Sequence, residues 1–409
     1  MTYNFDEIID RRNTNSENVE GWRPYIFHCG PERVFPYKDE EFIRMWVADM
    51  EFAVAPEILQ AITDRVHRRI LGYTLVYDKG YYEVLRAWCE SRYGWSFPKE
   101  QLTFSPGVIP ALYQLTEDLV KPLNGRVLTM TPAYGFFLHA CEYNGVELVT
   151  SPLREEGGRF SIDWEDLEAK AADPDVKLLM LCNPHNPTGR IWTEEELRHM
   201  AAIIEKHRLW VVSDEIHCDL IRRGVTFTPI MNVASEYADR IVVCTAPSKT
   251  FNLAGMKTSN IVIHNKELQK KWKDYVNGSL SMDGASALGM TAMIAAYTEG
   301  EEWLEQLKDY LDGNFAYIDE YLKKNLPKAH LVKAEGTYLA WLDLNGYVDR
   351  DEKKLEELMQ KKAKVALDEG YIFGEEGRGF ERINVASPRS VIEECMNRIR
   401  TAFEEEKLV

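Results

Sequence analysis

The middle of the chain alternates short apolar runs with longer segments of helical periodicity. Residues 193–207 have that periodicity, and they begin with a Thr cap that is followed three residues later by Glu196. Apolar runs without polar alternation are typical of strands that are covered on both faces. Five such runs, most of them rich in Val, Ile or Leu, are 126–130, 177–182, 209–213, 240–244 and 260–264. This order predicts an α/β fold with a mostly parallel sheet between layers of helices.

The pattern changes after about residue 300. Residues 301–324 predict a long, charged amphipathic helix, and strand-like runs follow at 337–344 and 382–386, with a helix predicted at 351–368 between them. We therefore expect a large domain at 46–299 and a smaller α/β domain at 300–409. Residues 1–45 have too little periodicity to form a unit alone, so we expect them to pack on the small domain or on a partner subunit.

Length and composition indicate a globular protein of two or three domains. The 409 residues include 45% hydrophobic and 28% charged residues, which is ordinary soluble usage and argues against disordered and fibrous classes. The chain carries 66 acidic against 49 basic residues, a net charge of −17. A nucleic-acid binder is expected to show a basic surface that neutralises phosphates, so we expect no nucleic-acid partner.

Targeting signals, membrane spans and metal ligands are not predicted. The first 14 residues lack the apolar core of a secretory signal, and no stretch of about 20 apolar residues occurs in the sequence. Seven widely spread cysteines, an odd number without a C-x-x-C pair, indicate reduced thiols in a cytoplasmic protein. His185 and the run His217-Cys218-Asp219 have no suitably spaced partners for one ion, so we expect no metal.

Three polar motifs each follow one of the predicted strands. They are Asn183-Pro184-His185-Asn186-Pro187-Thr188-Gly189, Ser213-Asp214-Glu215 and Ser248-Lys249-Thr250. Taken alone, each has an ordinary explanation, namely a β-to-α loop, a helix cap and a solvated lysine. Because α/β proteins bind ligands at the carboxyl ends of their parallel strands, we expect the three motifs to share one crevice.

Together the motifs contain the groups that pyridoxal 5'-phosphate (PLP) chemistry needs. The cofactor requires an amine for its aldehyde, a carboxylate that keeps its pyridine nitrogen protonated, and donors for its ring oxygen and phosphate. Lys249, Asp214 and Asn186 supply the first three in that order. Groups suited to the phosphate lie close to the lysine in sequence: Thr245, Ser248, Gly255 and Lys257. The sequence therefore predicts a PLP site at the edge of the sheet.

Five phrases in the sequence resemble fold-type I PLP enzymes, the aminotransferase class I/II superfamily, and within it the MalY/PatB-type group of cystathionine β-lyases. They span nearly the whole chain and are Trp46-Val47-Ala48-Asp49-Met50, Asn183-Pro184-His185-Asn186-Pro187-Thr188-Gly189, Asp214-Glu215-Ile216-His217, Ala246-Pro247-Ser248-Lys249-Thr250-Phe251-Asn252 and Gly336-Thr337-Tyr338-Leu339. The resemblance implies a PLP-dependent transferase-like fold with a mainly parallel seven-stranded sheet. It also implies a homodimer whose active sites lie at the subunit interface.

The same resemblance implies further cofactor contacts. Gly107, Val108 and Ile109 match the loop whose backbone amides hold the phosphate, which suits the anion preference of a helix N-terminus. Tyr134 matches the aromatic residue that stacks on the pyridine ring, and Tyr73 matches the tyrosine that reaches the phosphate of the neighbouring subunit's cofactor. Lys257 lies where many aminotransferases have an arginine, and its point charge lacks the arginine fork.

Substrate contacts are also implied by the resemblance. Arg382 matches the arginine that binds the substrate α-carboxylate, and we prefer it to the nearby Arg389. A backbone amide from Ala48 is expected at the same carboxylate, with Asn186 beside it. Two further residues, Asp49 and His217, are expected to support these groups or to be structural.

The predicted activity is a carbon–sulfur β-lyase that cleaves L-cystathionine or related cysteine S-conjugates to a thiol, pyruvate and ammonia. The choice rests on the resemblance, with Lys249 as the base that removes the Cα proton and Asp214 as the partner of the cofactor ring. No second arginine is evident that would bind a side-chain carboxylate, as a dicarboxylate transaminase requires. The expected partner is a small-molecule amino-acid substrate.

Two alternatives use the same fold. An aminotransferase for neutral or aromatic amino acids would need the same residues, and it would require a 2-oxo acid for sustained turnover. The second alternative is a regulator that binds a transcription factor through the PLP fold, although intact Lys249 and Asp214 predict retained chemistry. A nicotinamide oxidoreductase is disfavoured, because the glycines of Gly374-Glu375-Glu376-Gly377-Arg378-Gly379 have the wrong spacing and follow no strand.

Overall fold

Seven strands form the central sheet of the computed structural model, which describes residues 1–25, 29–30, 32–35, 37–75, 79–281 and 285–409. In chain order the strands are β1 (Leu102–Ser105), β2 (Arg126–Thr131), β3 (Glu147–Pro152), β4 (Val176–Cys182), β5 (Trp210–Asp214), β6 (Ile241–Thr245) and β7 (Ser259–Ile263). Their order across the sheet is β1-β7-β6-β5-β4-β2-β3. The antiparallel strand is β7, which pairs with β1 and β6, while the remaining pairs are parallel.

The five strands predicted from the sequence are all present, shifted by a residue or less at most ends. Their residues are buried along nearly their whole length, because both faces of the sheet are covered. Two edge strands were not predicted. One of them, β3, exposes much of its length to solvent and carries polar residues, so it lacks the apolar signal of a covered strand.

Helices cover both faces of this sheet. Those of eight residues or more in the described ranges are α1 (Pro56–His67), α2 (Lys79–Tyr93), α3 (Val108–Leu119), α4 (Gly135–Asn144), α5 (Trp164–Ala171), α6 (Glu194–His207), α7 (Lys266–Lys273), α8 (Ala287–Glu299), α9 (Glu301–Asn325) and α10 (Arg389–Glu405). Leu112, Phe137 and Trp272, from α3, α4 and α7, pack in a core on one face, while Leu197 from α6 belongs to the core on the other. The sequence prediction of α6 is confirmed by its cap, in which the Thr193 hydroxyl accepts from the Glu196 N–H at 3.1 Å.

A second, antiparallel sheet of four strands lies in the C-terminal part of the chain. Its strands are β8 (His330–Leu331), β9 (Leu339–Asp343), β10 (Asp368–Glu369) and β11 (Phe380–Asn384), in the order β8-β9-β11-β10. The long charged helix predicted before it is α9, which extends one residue beyond the prediction. These observations, with the seven-stranded sheet, agree with the α/β class predicted from the sequence.

The predicted helix at 351–368 is wrong in its last five residues. The helical segment begins at Glu352–Glu356, continues as a wider turn at Glu357–Ala363, and ends at Lys364, whose φ of 53° is left-handed. The following Val365–Ala366 is a buried short strand that pairs in parallel with Ile43–Arg44. Tertiary pairing therefore overrides the helical propensity of this apolar stretch.

The N-terminal segment packs against the C-terminal part through aromatic residues. Trp22, Phe42 and Trp46 form a small core with Ala366, separate from the two cores at the central sheet. Phe5 packs edge-to-face against Trp303 of α9, with ring centroids 5.7 Å apart.

None of the described helices combines the length and the apolar character that a membrane crossing requires.

Two buried carboxyl groups oppose each other in the small sheet and predict a pH-dependent stability. Glu369 and Glu381 are direct partners across β10 and β11, and both Glu381 oxygens lack a hydrogen-bond partner among the described residues. Burial raises the pKa of both groups, to about 8 for Glu369. The pKa values of Glu369 and Glu381 are higher in the folded than in the unfolded protein. Their contribution to the unfolding free energy is therefore complete below the ordinary carboxyl pKa and is lost as the pH rises toward 8 and above.

We expect Glu381→Gln to flatten this loss, with a gain of about 2 kcal/mol in unfolding free energy at pH 9 and little change at pH 5. Urea unfolding of the two proteins at both pH values measures it. Glu357→Gln, at an exposed position near the same sheet, is the matched control and should follow the parent protein. An equal or steeper alkaline loss in Glu381→Gln would contradict the assignment.

Candidate active site

The three polar motifs meet at one edge of the central sheet. In the parallel register, Cys182 at the end of β4 lies beside Asp214 at the end of β5, and Asp214 lies beside Cys244 of β6. The loop that holds Asn186 follows β4, and a short helix, Pro247–Thr250, follows β6 and carries Lys249. Parallel pairing of three neighbouring strands therefore brings the three motifs together, as the sequence predicts.

A cavity of about 460 Å³ opens at this edge. Most of the predicted site residues line it: Ala48, Gly107, Val108, Ile109, Tyr134, Asn186, Asp214, Ser248, Lys249 and Lys257. Seven lining residues were not singled out from the sequence: Pro106, Pro110, Cys182, Ile216, Ala254, Thr258 and Ser259. The strand-end rule that locates Asp214 would also have indicated Cys182, since both are the last residues of adjacent strands.

Lys249 has the environment of a lysine that gives up its proton readily. Its Nζ donates to the backbone carbonyl of Ala48 at 2.7 Å. Burial and the positive charge of Arg382 together lower the pKa of Lys249 to about 8, against the opposing charges of Asp49 and Asp214. An amine with a pKa near 8 is neutral in a useful fraction of molecules at neutral pH, as a base or nucleophile requires.

Asp214 is a buried carboxyl group at the floor of the cavity, with 4% of its surface exposed. Burial raises its pKa to about 6, and the opposing influences are the Ile216 N–H, which donates to Oδ1 at 3.2 Å, and the charge of Lys249. No side-chain salt bridge to Asp214 is found within the described ranges. The carboxylate is therefore placed to pair with a cationic group of a ligand, which would stabilise its charged form.

Arg382 reaches the cavity wall through Asn186. It lies on β11, and its Nη1 donates to Asn186 Oδ1 at 3.0 Å, while its own surface is only 5% exposed. Arg389 is placed elsewhere. It begins α10, where its Nε donates to Asn314 Oδ1 at 2.8 Å and its guanidinium lies over the ring of Tyr317. Of the two arginines weighed from the sequence, the structure brings Arg382 to the site.

The N-terminus of α3 forms the opposite wall. Gly107 precedes the 12-residue helix, and Val108 and Ile109 are its first residues, so their backbone N–H groups lie among the unpaired donors of a helix start. Such an end attracts anions, with backbone donors and a partial positive charge together. Lys257 adds a cation at the same wall and is exposed to solvent.

Besides Arg382, which contacts the lining residue Asn186, the predicted contacts that do not line the cavity are Thr245 and Tyr73. The Thr245 hydroxyl accepts from Asn260 Nδ2 at 3.3 Å, between β6 and β7. Tyr73 is fully exposed, with a relative exposure of 107%. His217, predicted as a supporting or structural group, lines the cavity, and burial holds its pKa well below the ordinary value.

Two hydrogen-bond networks hold the chain next to Lys249 in place. The Thr250 hydroxyl donates to Asp219 Oδ2 at 2.9 Å, and Asp219 also binds Trp88, Tyr93 and Arg92. On the other side, the Asn252 amide donates to the carbonyls of Met50 and Phe52 and accepts from the Met50 N–H, all at 3.0 to 3.1 Å. The chain that follows Lys249 is therefore held by two separate sets of hydrogen bonds.

Comparison with known proteins assigns the family. Residues 40–399 match the model of aminotransferase class I and II. The chain belongs to this family. It is 38% identical over 359 residues to the cystathionine β-lyase PatB of Bacillus subtilis strain 168, covering 88% of this chain and 92% of PatB. It is 31% identical over 392 residues to the protein MalY of Escherichia coli K12, covering 96% of each.

A solved structure agrees with these likenesses. The PLP-bound C–S lyase of Staphylococcus hominis is 40% identical to this chain, with a TM-score of 0.91 and coverage of 98% of both chains. The aminotransferase class I and II resemblance inferred from the motifs is confirmed, and so is the PLP-dependent transferase-like fold. PatB and the Staphylococcus hominis protein are named as lyases, which favours the lyase over the aminotransferase.

The Asp219 network predicts a stability effect that is separate from catalysis. Asp219→Asn removes a buried charge and leaves Arg92 without one of its partners, so we expect a loss of about 3 kcal/mol in unfolding free energy. Asp309→Asn is the matched control, because that carboxylate pairs with Arg223 at the surface and should cost less than about 1 kcal/mol. Urea unfolding at pH 7 measures both, and equal losses would refute the prediction.

Proposed function

We propose that this protein is a PLP-dependent carbon–sulfur β-lyase that cleaves L-cystathionine, or a related cysteine S-conjugate, to a thiol, pyruvate and ammonia. The observation that carries the proposal is the convergence of Lys249, Asp214 and the Asn186–Arg382 pair at one cavity. The lyases among its relatives cover nearly the full chain and support the choice of reaction.

The residues at the cavity fit PLP. Asp214 is a buried carboxylate without a cationic side-chain partner in the described ranges, which suits a protonated pyridine nitrogen. The start of α3 and Lys257 suit a phosphate, Tyr134 offers a ring face, and Lys249 offers the amine. When bound, PLP acts as an electron sink that stabilises negative charge developing at the substrate Cα.

Each residue then has a distinct task. Arg382 binds the substrate carboxylate in a planar, charge-assisted contact, which fixes the orientation of Cα. Lys249, with a pKa lowered to about 8, takes the proton from Cα and loses its hydrogen bond to Ala48 as it moves. Asp214 keeps its negative charge beside the ring nitrogen. Where Cβ carries a thioether sulfur, the electron pair left by the proton forms a Cα–Cβ double bond, the Cβ–S bond breaks, and the sulfur leaves as a thiolate.

An aminotransferase reaction uses the same residues up to the removal of the proton and stands as the alternative. The cations lining the cavity in the described part of the chain are Lys249 and Lys257, and neither is an arginine that could hold a second carboxylate. This observation disfavours dicarboxylate substrates and leaves neutral or aromatic ones. A requirement for a 2-oxo acid separates the two activities.

The deciding experiment incubates the PLP-loaded protein with L-cystathionine, without any 2-oxo acid, and quantifies pyruvate and homocysteine. We expect both products in equal amounts over many turnovers. Lys249→Ala should lower the rate by a factor of about 10³ or more, because both the anchor and the base are lost. Lys266→Ala, at an exposed position on α7, is the control and should behave as the parent.

Turnover that appears only when a 2-oxo acid is added would replace the lyase by the aminotransferase. Absence of both reactions, with specific capture of a transcription factor by Lys249→Ala, would favour a regulatory protein instead. The seven unpaired cysteines, six of them buried, suit a reducing compartment, and we place the enzyme in the cytoplasm as part of the proposal.

We further propose a homodimer with shared active sites. The observation behind it is a run of exposed apolar side chains at Ile70, Leu71, Tyr73 and Leu75, which is unusual for a free surface. A second copy of the chain that covers this run would bring its Tyr73 toward the anion-binding wall of the first. The dimer would then complete each cavity with a residue from the partner subunit.

Subunit mixing tests this arrangement. Tyr73→Ala and Lys249→Ala proteins should each be weakly active alone, because every site lacks one group. After denaturation and refolding together in equal amounts, about half of the dimers are mixed, and one of the two sites in each mixed dimer has both groups. We expect recovery of about a quarter of the parent activity. No recovery, with mixed dimers verified by differential tags, would contradict shared sites.

A further inference from the structure

Arg382 has an internal carboxylate partner. Its Nη2 donates to Asp368 Oδ2 and to the backbone carbonyl of Trp46 at 3.2 Å, while Nη1 donates to Asn186. The ring of Phe373 lies 4.8 Å from the guanidinium carbon. Asp368 is 2% exposed, so the ion pair is shielded from solvent. The residue proposed to bind the substrate carboxylate is therefore already paired with a carboxylate of the protein.

The position of Asp368 is set by strand register. Asp368 and Arg382 are direct partners across the antiparallel pair β10 and β11, so their side chains lie on the same face of the sheet. The next pair along the strands, Glu369 and Glu381, faces the other way. Because the backbone fixes both partners, Asp368 cannot swing away from Arg382 as a surface side chain would.

The pairing leaves one donor and one acceptor without partners. Arg382 Nε and Asp368 Oδ1 are both buried and have no hydrogen-bond partner among the described residues. Nε is a donor that an incoming carboxylate can use, and together with Nη2 it forms one edge of the guanidinium fork. Nη2 is shared with Asp368, so a substrate carboxylate at this edge meets a negative charge beside the positive one.

We propose that Asp368 is a specificity-determining counter-ion, which orients the guanidinium of Arg382 and weakens its attraction for the substrate carboxylate as long as Asp368 is ionised. The inference rests on the role of Arg382 in the proposed function. It makes substrate affinity a balance between two carboxylates that compete for one cation. Loss of the charge with retention of the hydrogen bond then strengthens substrate binding, whereas loss of both weakens it.

The neighbours of Asp368 allow its charge to be varied by pH. Arg382, Tyr25 and Tyr134 lie on its side of the sheet, and Glu369 and Glu381 interact with its charge from the other face. Burial raises the pKa values of both tyrosines and both glutamates, so these four groups are mainly neutral between pH 5 and 7. Burial also raises the pKa of Asp368 to about 6, against the opposing effect of Arg382. Its charge therefore falls as the pH is lowered through about 6.

Binding of a simple amino acid tests the inference without requiring cleavage. The PLP-loaded proteins are titrated with L-alanine and, as a probe without a carboxylate, with ethylamine, by the change in cofactor absorbance between pH 5.5 and 8.5. The ratio of the two dissociation constants isolates the carboxylate contact from effects on the amine and the cofactor. The variants are Asp368→Asn, Asp368→Ala and Arg382→Ala, with Glu381→Gln as the matched control on the other face of the same sheet.

At pH 8 we expect Asp368→Asn to bind L-alanine roughly threefold to tenfold more tightly relative to ethylamine, as the loss of a partly screened like charge implies. Asp368→Ala should bind it more weakly than the parent, because Arg382 loses its orientation. In the parent protein the ratio should shift toward tighter L-alanine binding as the pH falls, and in Asp368→Asn it should stay nearly constant. Glu381→Gln should follow the parent.

The inference is overturned by equal weakening in Asp368→Asn and Asp368→Ala at pH 8, or by a pH-independent ratio in the parent protein. Failure of the proposed function gives a different pattern. If Arg382→Ala leaves the ratio unchanged, Arg382 is not the carboxylate anchor. If Arg382→Ala weakens L-alanine while Asp368→Asn matches the parent at every pH, the anchor stands and the counter-ion role is refuted. Circular dichroism and cofactor absorbance verify that each variant is folded and loaded.

Discussion

The structure depends on the parallel alignment of β4, β5 and β6. A polar motif lies at or just after the carboxyl end of each of these strands. Parallel pairing brings those three ends to the same edge of the sheet. Antiparallel pairing would place alternate ends at opposite edges and separate the lysine from the carboxylate. The helices that cover both faces keep the strands buried, so the strand ends are open to a ligand only at the cavity.

Burial then gives the cavity its chemistry. The same physical effect raises the pKa of Asp214 and lowers that of Lys249, because removal from water disfavours both charges. The two shifts bring the groups' pKa values closer together, to about 6 and about 8. A bound cationic ring beside Asp214 would restore its charge, whereas the carboxylates near Lys249 only partly oppose the lowering of its pKa. The two groups thereby acquire the opposite roles that the reaction needs.

The sequence alone predicted the covered strands and the strand-end motifs well, because both depend on local patterns. The α6 cap and the starts of α3 and α9 were predicted for the same reason. The end of the helical segment at Lys364 was missed, since a left-handed lysine carries no local signal. Asp219 and Asp368 were missed for another reason, because their importance comes from partners more than ten residues away. The choice between Arg382 and Arg389 likewise needed the strand register.

The carbonyl of Ala48 joins three parts of the chain. It accepts from Lys249 at 2.7 Å and from the Tyr338 hydroxyl at 2.8 Å, while the next residue, Asp49, pairs with Arg11 of the N-terminal segment. A single peptide unit therefore lies between the lysine, the small sheet and the beginning of the chain. The first residues, which show no helical or strand pattern, thus lie directly behind the cavity wall at Ala48, and their trimming would remove a contact that supports the acceptor of the lysine.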